Sequence, residues 1–155
     1  MGEVFACACC GECCSGTGGI VLRRSDTERL AAHFHVPVPA FLERYAERAR
    51  GKYRLRAGSG GACVFAEGAT CGVHAARPDI CRAWPFFRGN LVDSVSFFMA
   101  TEGCAGMRRP VPFATFVQSG ARYLLENGIF AGRDETDAPA ALMREDSLRA
   151  LLEER

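Results

Sequence analysis

The sequence predicts a small α+β single domain, mainly helical, with short strands, a hairpin and cysteine-bearing loops converging on a metal site. Three observations predict it: apolar residues recur at helical spacing, short β-prone runs bounded by glycine interrupt them, and nine cysteines are divided between one dense cluster and several isolated positions. The chain has 155 residues, 48% of them hydrophobic and 24% charged. A chain of that size buries roughly two-thirds of its unfolded surface around a core, so it needs no metal merely to become compact. The expected organisation is one cysteine-cluster metal-binding domain over residues 1–133, followed by a linker and C-terminal helix over 134–155.

Taken in order, five of the nine cysteines fall in the run Phe5-Ala-Cys-Ala-Cys-Cys-Gly-Glu-Cys-Cys14. Ser15–Gly19 reads as a flexible turn and Ile20–Leu22 as a short buried strand. Ser25 and Glu28 have the spacing of a capping box, with Leu30 and Phe34 on one face of the helix that follows and His33 and His35 at its end. A second helix is expected from about Pro39, with an apolar stripe of Phe41, Leu42, Tyr45 and Ala49. Gly58–Gly61 is turn chemistry leading into a strand-like Cys63-Val-Phe65. Pro78 and Asp79 suit the first turn of a short helix, which puts Cys81 near a positive helix end between Arg77 and Arg82. Such surroundings stabilise a thiolate. Phe86–Leu91 reads as a hairpin turning at Gly89-Asn90, its second strand alternating through Val95, Phe97 and Met99. A helix over Pro110–Asn127, stopped by Gly128, and a last one from about Pro139 carrying Leu142, Leu148, Leu151 and Leu152 complete the chain.

A net charge of +1 offers no electrostatic reason for a nucleic-acid partner. The N-terminus passes straight into cysteines without an apolar run, so the expectation is a cytoplasmic protein with no membrane span. In a reducing compartment, nine cysteines read as metal ligands or redox centres rather than as disulfides. The C-terminal helix either packs back onto the domain or offers a face to a protein partner. No nucleophile triad or dinucleotide fingerprint is present, and Glu12 and His74, the nearest acid–base candidates, sit in no motif that names a reaction.

Thiolates packed as densely as Cys7 to Cys14 repel one another unless a cation lies among them. Cys7, Cys10 and Cys13 repeat as C-x2-C-x2-C, the spacing of the first three ligands of bacterial-type ferredoxins, whose fourth ligand can be remote. Leaving out Cys9, the candidate ligands are Cys7, Cys10, Cys13, Cys14, Cys63, Cys71, Cys81 and Cys104. Eight is twice the four thiolates that a tetrahedral zinc site or a cubane takes. Adjacent side chains such as those of Cys13 and Cys14 diverge, so there are two centres or one of this pair stands apart. Cys71-x2-His74 offers a Cys3His alternative. The centre is an iron–sulfur cluster or iron, or alternatively zinc held in closed structural or storage sites. Either is anionic, and Arg77, Arg82 and Arg108 are the candidates to donate hydrogen bonds to it.

At this point the residues resemble a known family, the cysteine-cluster proteins of the CxxCxxCC type (YkgJ-like), a zinc- or iron-chelating domain. Phe-x-Cys-x2-Cys-Gly-x-Cys-Cys at Phe5–Cys14, Cys-x-Phe at Cys63–Phe65, Cys71 leading into Arg77-Pro-x2-Cys-Arg-x2-Pro-Phe86, and Cys104-x-Gly106 carry the resemblance in order. It implies a metal site built from the matched cysteines, and relatives include an iron–sulfur-associated flagellin lysine methylase. Beyond Met107 it implies nothing.

Overall fold

The computed structural model describes residues 4–14, 19–107 and 110–154, without the side chain of Cys14. The turn expected over Ser15–Gly19 (except Gly19), the Cys14 thiol and Arg108 therefore lie outside the described residues. The α+β class is as expected: helices dominate, and the strands are short and antiparallel. Two compact units are distinguished, one of Cys9–Arg82 with Thr136–Pro139, the other of Met1–Ala8, Ala83–Glu135 and Ala140–Arg155.

In the first unit, strand Val21–Leu22 (β1) leads into helix Arg24–His33 (α1). Its start differs from expectation. The Asp26 carboxylate accepts the backbone N–H of Arg23 at 2.9 Å, the reciprocal half of a capping box two residues upstream of the Ser25/Glu28 frame. Ser25 thus lies inside the helix, and Glu28 pairs with Arg24 at 3.0 Å on its exposed face. Helix Val38–Tyr45 (α2) has Pro39 in its first turn, as expected.

The stripe predicted to reach Ala49 stops at Tyr45. Ala46–Ala49 (β2) is instead a strand, paired antiparallel with Lys52–Leu55 (β3), whose other edge takes β1. Alanine, glutamate and arginine at 46–50 favour helix by propensity. Two facts override them: Arg50 and Gly51 take φ of +53° and +78°, as a tight hairpin turn requires, and Ala46 faces Leu55 with both buried. Cys63-Val-Phe65 is also not a strand. Cys63 makes an isolated bridge to Ala57, and the strand begins three residues later as Ala66–Glu67 (β4), paired with Thr70–Cys71 (β5). A short helix, Asp79–Ala83 (α3), follows Pro78 as the sequence predicts. The core of this unit joins Leu22, Leu30, Phe41, Leu55, Phe65 and Val73, with Phe34 stacked on Tyr45 and Phe65 at 5.0 and 5.6 Å between ring centres. Lys52 Nζ donates to the Ala138 carbonyl at 2.7 Å, tying residues 136–139 to this unit.

The second unit overturns the hairpin predicted over Phe86–Met99. These residues form helices Arg88–Val92 (α4) and Ser94–Gly103 (α5). The alternation of Val95, Phe97 and Met99 was a strand signal in sequence, but Asp93 decides the backbone: its carboxylate accepts from the N–H of Val95 at 3.3 Å and of Ser96 at 3.0 Å, an N-cap that starts α5. Phe97 then packs on Phe116 at 4.6 Å. Helix Phe113–Glu126 (α6) ends as predicted before Gly128 (φ +66°), and helix Glu145–Glu153 (α7) starts later than Pro139, after Ala131 bridges Arg144. α7 packs on α6 through the fully buried Leu148. No helix among the described residues is long and apolar enough to cross a membrane.

Candidate metal centre

The cysteine comb is shaped by two residues in the left-handed region, Cys9 at φ +51° and Gly11 at φ +78°. Gly11 is needed for a second reason: a Cβ there would lie 2.9 Å from both the Cα and the carbonyl oxygen of Ala69, in the turn between β4 and β5. The comb backbone therefore lies directly on the hairpin that ends in Cys71. Cys13 follows on a single 3-10 turn, Glu12–Cys14.

This approach brings three sequence-predicted ligands together. Burial pushes the half-buried Cys63 thiol up; the Phe65 backbone N–H works against that, and the charges of Cys71 and Cys13 push it further up. Cys13, Cys63 and Cys71, from three separate segments, thus lie near enough to act on one another electrostatically. The donor set is sulfur, and soft sulfur ligands suit zinc, iron and iron–sulfur cores. The residues fit the group.

Elsewhere in the same unit, a Cys9 Sγ and a His74 ring nitrogen lie within 4.8 Å of each other, both exposed, and Cys7 lies two residues before Cys9 in the chain. The Arg77 guanidinium contacts His74 Nε2. The His74 pKa is lowered, first by partial burial and then by the Arg77 charge, both of which disfavour the imidazolium. Cys10 is exposed, and Cys81 is half-buried on α3. Arg82, expected to face the metal, donates from Nη1 to Asp79 Oδ1 at 3.0 Å.

The second unit holds Cys7 and Cys104. Phe5 bridges Met107, and the Ala6 N–H donates to the Gly106 carbonyl at 2.9 Å. Gly106 has no room for a Cβ, because the Ala6 carbonyl oxygen occupies that space. The two chain segments leading to Cys7 and from Cys104 thus run side by side. Trp84 Nε1 donates to Cys104 Sγ at 3.4 Å. Of the described cysteines, Cys7, Cys9, Cys10 and Cys13 are exposed and Cys63, Cys71, Cys81 and Cys104 are half-buried.

Sequence reasoning missed several supporting residues. Trp84 had a signal, since an indole N–H near a cysteine needs an acceptor when half-buried. Asp26 and Asp79, buried and paired with Arg23 and Arg29 around the turn that carries Cys81, had none, because residues 50 or more positions apart announce no pairing.

No curated protein and no solved structure matches the chain. A family model does: CxxCxxCC, described as "Putative zinc- or iron-chelating domain", matches residues 6–105, a stretch that runs from just before Cys7 to just after Cys104 and takes in all nine cysteines. With more than half of its length matched, and with thiols from separate loops gathered beside one hairpin, the chain belongs to the CxxCxxCC family of zinc- or iron-chelating domains.

Proposed function

We propose that this protein holds iron through cysteine thiolates, as an iron–sulfur cluster or iron centre with a redox or accessory role in the cytoplasm. The observation that carries the reading is the gathering of Cys13, Cys63 and Cys71, one from the comb and two from distant loops, into a single electrostatic environment made of sulfur donors. In the proposal Cys7, Cys10, Cys14, Cys81 and Cys104 complete the ligand set, and Arg77 and Arg82 supply countercharge. When bound, such a centre supplies electron transfer or Lewis acidity. The chain's own residues supply the thiols, with the Trp84 N–H donating to the Cys104 sulfur.

A zinc reading is favoured by a different observation. Cys9 and His74 add a nitrogen donor beside a thiol, and mixed sulfur–nitrogen sets suit zinc. Anaerobic purification followed by metal analysis and visible absorption separates the two. Sulfur-to-iron charge-transfer absorption with bound iron and acid-labile sulfide supports the first reading. Colourless protein with stoichiometric zinc, unchanged by anaerobic reconstitution with iron and sulfide, would sink it.

A further inference from the structure

We infer that Asp79, locked in place by Asp26, Arg23 and Arg29, is a positioning residue that fixes the Cys81 thiol before metal arrives; the inference rests on the reading of Cys81 as a ligand. Asp26 is fully buried and Asp79 nearly so, at 0% and 5% exposure. The Asp26 Oδ1 accepts from the Asp79 backbone N–H at 2.9 Å and from Arg29 Nη2 at 2.8 Å, while its Oδ2 accepts from the Arg23 N–H. The Asp79 Oδ2 accepts from Arg23 Nη1 at 2.8 Å, and its Oδ1 from Arg29 Nη2 at 3.2 Å and Arg82 Nη1 at 3.0 Å. Arg29 reaches further, to the carbonyls of Arg77 at 3.0 Å and Ala76 at 3.4 Å.

These bonds share a direction. Residues 23, 26 and 29 follow one another along the start of α1, and they bind the backbone of 76, 77 and 79 and the side chain of 79, in the one segment that delivers Cys81. Within that segment the turn is closed by Cys81 N–H and Arg82 N–H on the Pro78 carbonyl, at 2.9 and 3.1 Å. Well-packed apolar residues would stabilise the contact between α1 and this turn at least as well, because burying ions costs much of what their attraction returns. What charged, directional bonds add is a single geometry. A thiol on a segment held at five points has little freedom left to lose on coordination, and that preorganisation raises affinity. Partners one step behind a ligand typically alter metal affinity roughly 10- to 100-fold.

The test is a double-mutant cycle read by zinc affinity, with zinc alone as the probe and a chromophoric chelator as competitor, on the full chain with folding verified by circular dichroism. The four proteins are wild type, Asp79→Asn, Cys81→Ser and the double variant. Positioning predicts that Asp79→Asn weakens zinc binding roughly 10- to 100-fold in the wild type, and changes it less than about twofold once Cys81 is serine. Equal losses in both backgrounds, or none in either, overturn the inference, because a merely structural aspartate acts whether or not Cys81 is present. If Cys81→Ser itself leaves zinc affinity unchanged, the ligand reading of Cys81 fails, and the inference with it. Should Asp79→Asn not fold, Arg23→Lys, which keeps the charge but loses the fork geometry, replaces it in the same cycle with the same outcomes.

Discussion

Replacing Gly11 by alanine should damage the metal centre more than its backbone conformation alone explains, and Gly51 provides the control. Both glycines have φ of +78°, but a Cβ on Gly51 meets nothing within 4 Å, whereas one on Gly11 lies 2.9 Å from two backbone atoms of Ala69. Left-handed backbone costs an L-residue about 1–2 kcal/mol, and both variants carry that cost. Only Gly11→Ala adds the contact, at least half an ångström inside the usual carbon–carbon separation of about 3.5–4.0 Å. The atoms it meets are main chain and cannot swing away. Overpacking of this kind costs typically 1–3 kcal/mol. The excess of Gly11→Ala over Gly51→Ala is therefore about 1–3 kcal/mol, or roughly 2–12 °C in melting temperature for a chain of this size. If the comb lifts off the hairpin instead of straining the fold, the same energy appears as a roughly 5- to 150-fold loss in metal affinity. Thermal melts and chelator competition on the two variants, each with and without zinc, measure both quantities. Equal effects of the two substitutions on stability and on affinity would refute the claim that the comb is seated on the Ala69 turn.

Gly120→Ala in α6 should destabilise, although alanine is ordinarily about 1 kcal/mol better than glycine in a helix interior, because the new methyl would strike the ring of the fully buried Phe86 and approach Leu91; a raised melting temperature would contradict this. Phe41→Ala, at a ring with no exposure, should cost about 3–5 kcal/mol in urea unfolding, and a loss under about 1 kcal/mol would show that the aromatic cluster is not a rigid core. The Asp26 carboxyl has its pKa raised, mainly by burial, so from its ordinary value near pH 4 up to its folded value the native state holds a proton that the unfolded chain has released. Stability should therefore fall as pH rises through that window, and Asp26→Asn should flatten this part of the urea-midpoint profile; identical slopes would exclude the shift. Chelation of metal from the loaded protein should lower the melting temperature, by roughly 8–16 °C if the centre contributes about 4 kcal/mol through its affinity, and an unchanged melt after verified metal loss would show that binding is uncoupled from the fold.

The helices with strong periodicity and punctuation were legible in sequence: α2 from Pro39, α6 between Pro112 and Gly128, α3 behind Pro78. The failures have one physical cause, a local preference outweighed by a specific partner. Val95, Phe97 and Met99 alternate like a strand, but a single carboxylate, Asp93, satisfies the first N–H groups of a helix, and Phe97 then finds Phe116. Ala46–Arg50 read as helix until Arg50-Gly51 reversed the chain. At the site, the cysteines themselves were legible because thiols in such numbers have few other uses. The residues that hold them were not. Gly11 could be seen as a flexible residue, but its close approach to Ala69, 58 positions on, exists only in the fold.

The exposure pattern of the thiols says how such a centre is built. Cys63 and Cys71 are half-buried at the rim of an apolar core whose members, Leu22, Leu30, Phe41 and Phe65 among them, owe nothing to sulfur chemistry. Cys81 is likewise set on a turn fixed by buried ion pairs, and Cys104 at the end of a capped helix beneath an indole N–H. These four are carried by structure that hydrophobic burial and hydrogen bonding assemble on their own. The comb differs: Cys7, Cys9, Cys10 and Cys13 are exposed, on a segment with almost no regular structure and two left-handed residues. What places the comb is Gly11, whose close approach to Ala69 seats the backbone between Cys10 and Cys13 on the β4–β5 hairpin, so that this glycine matters as much as the sulfurs it separates.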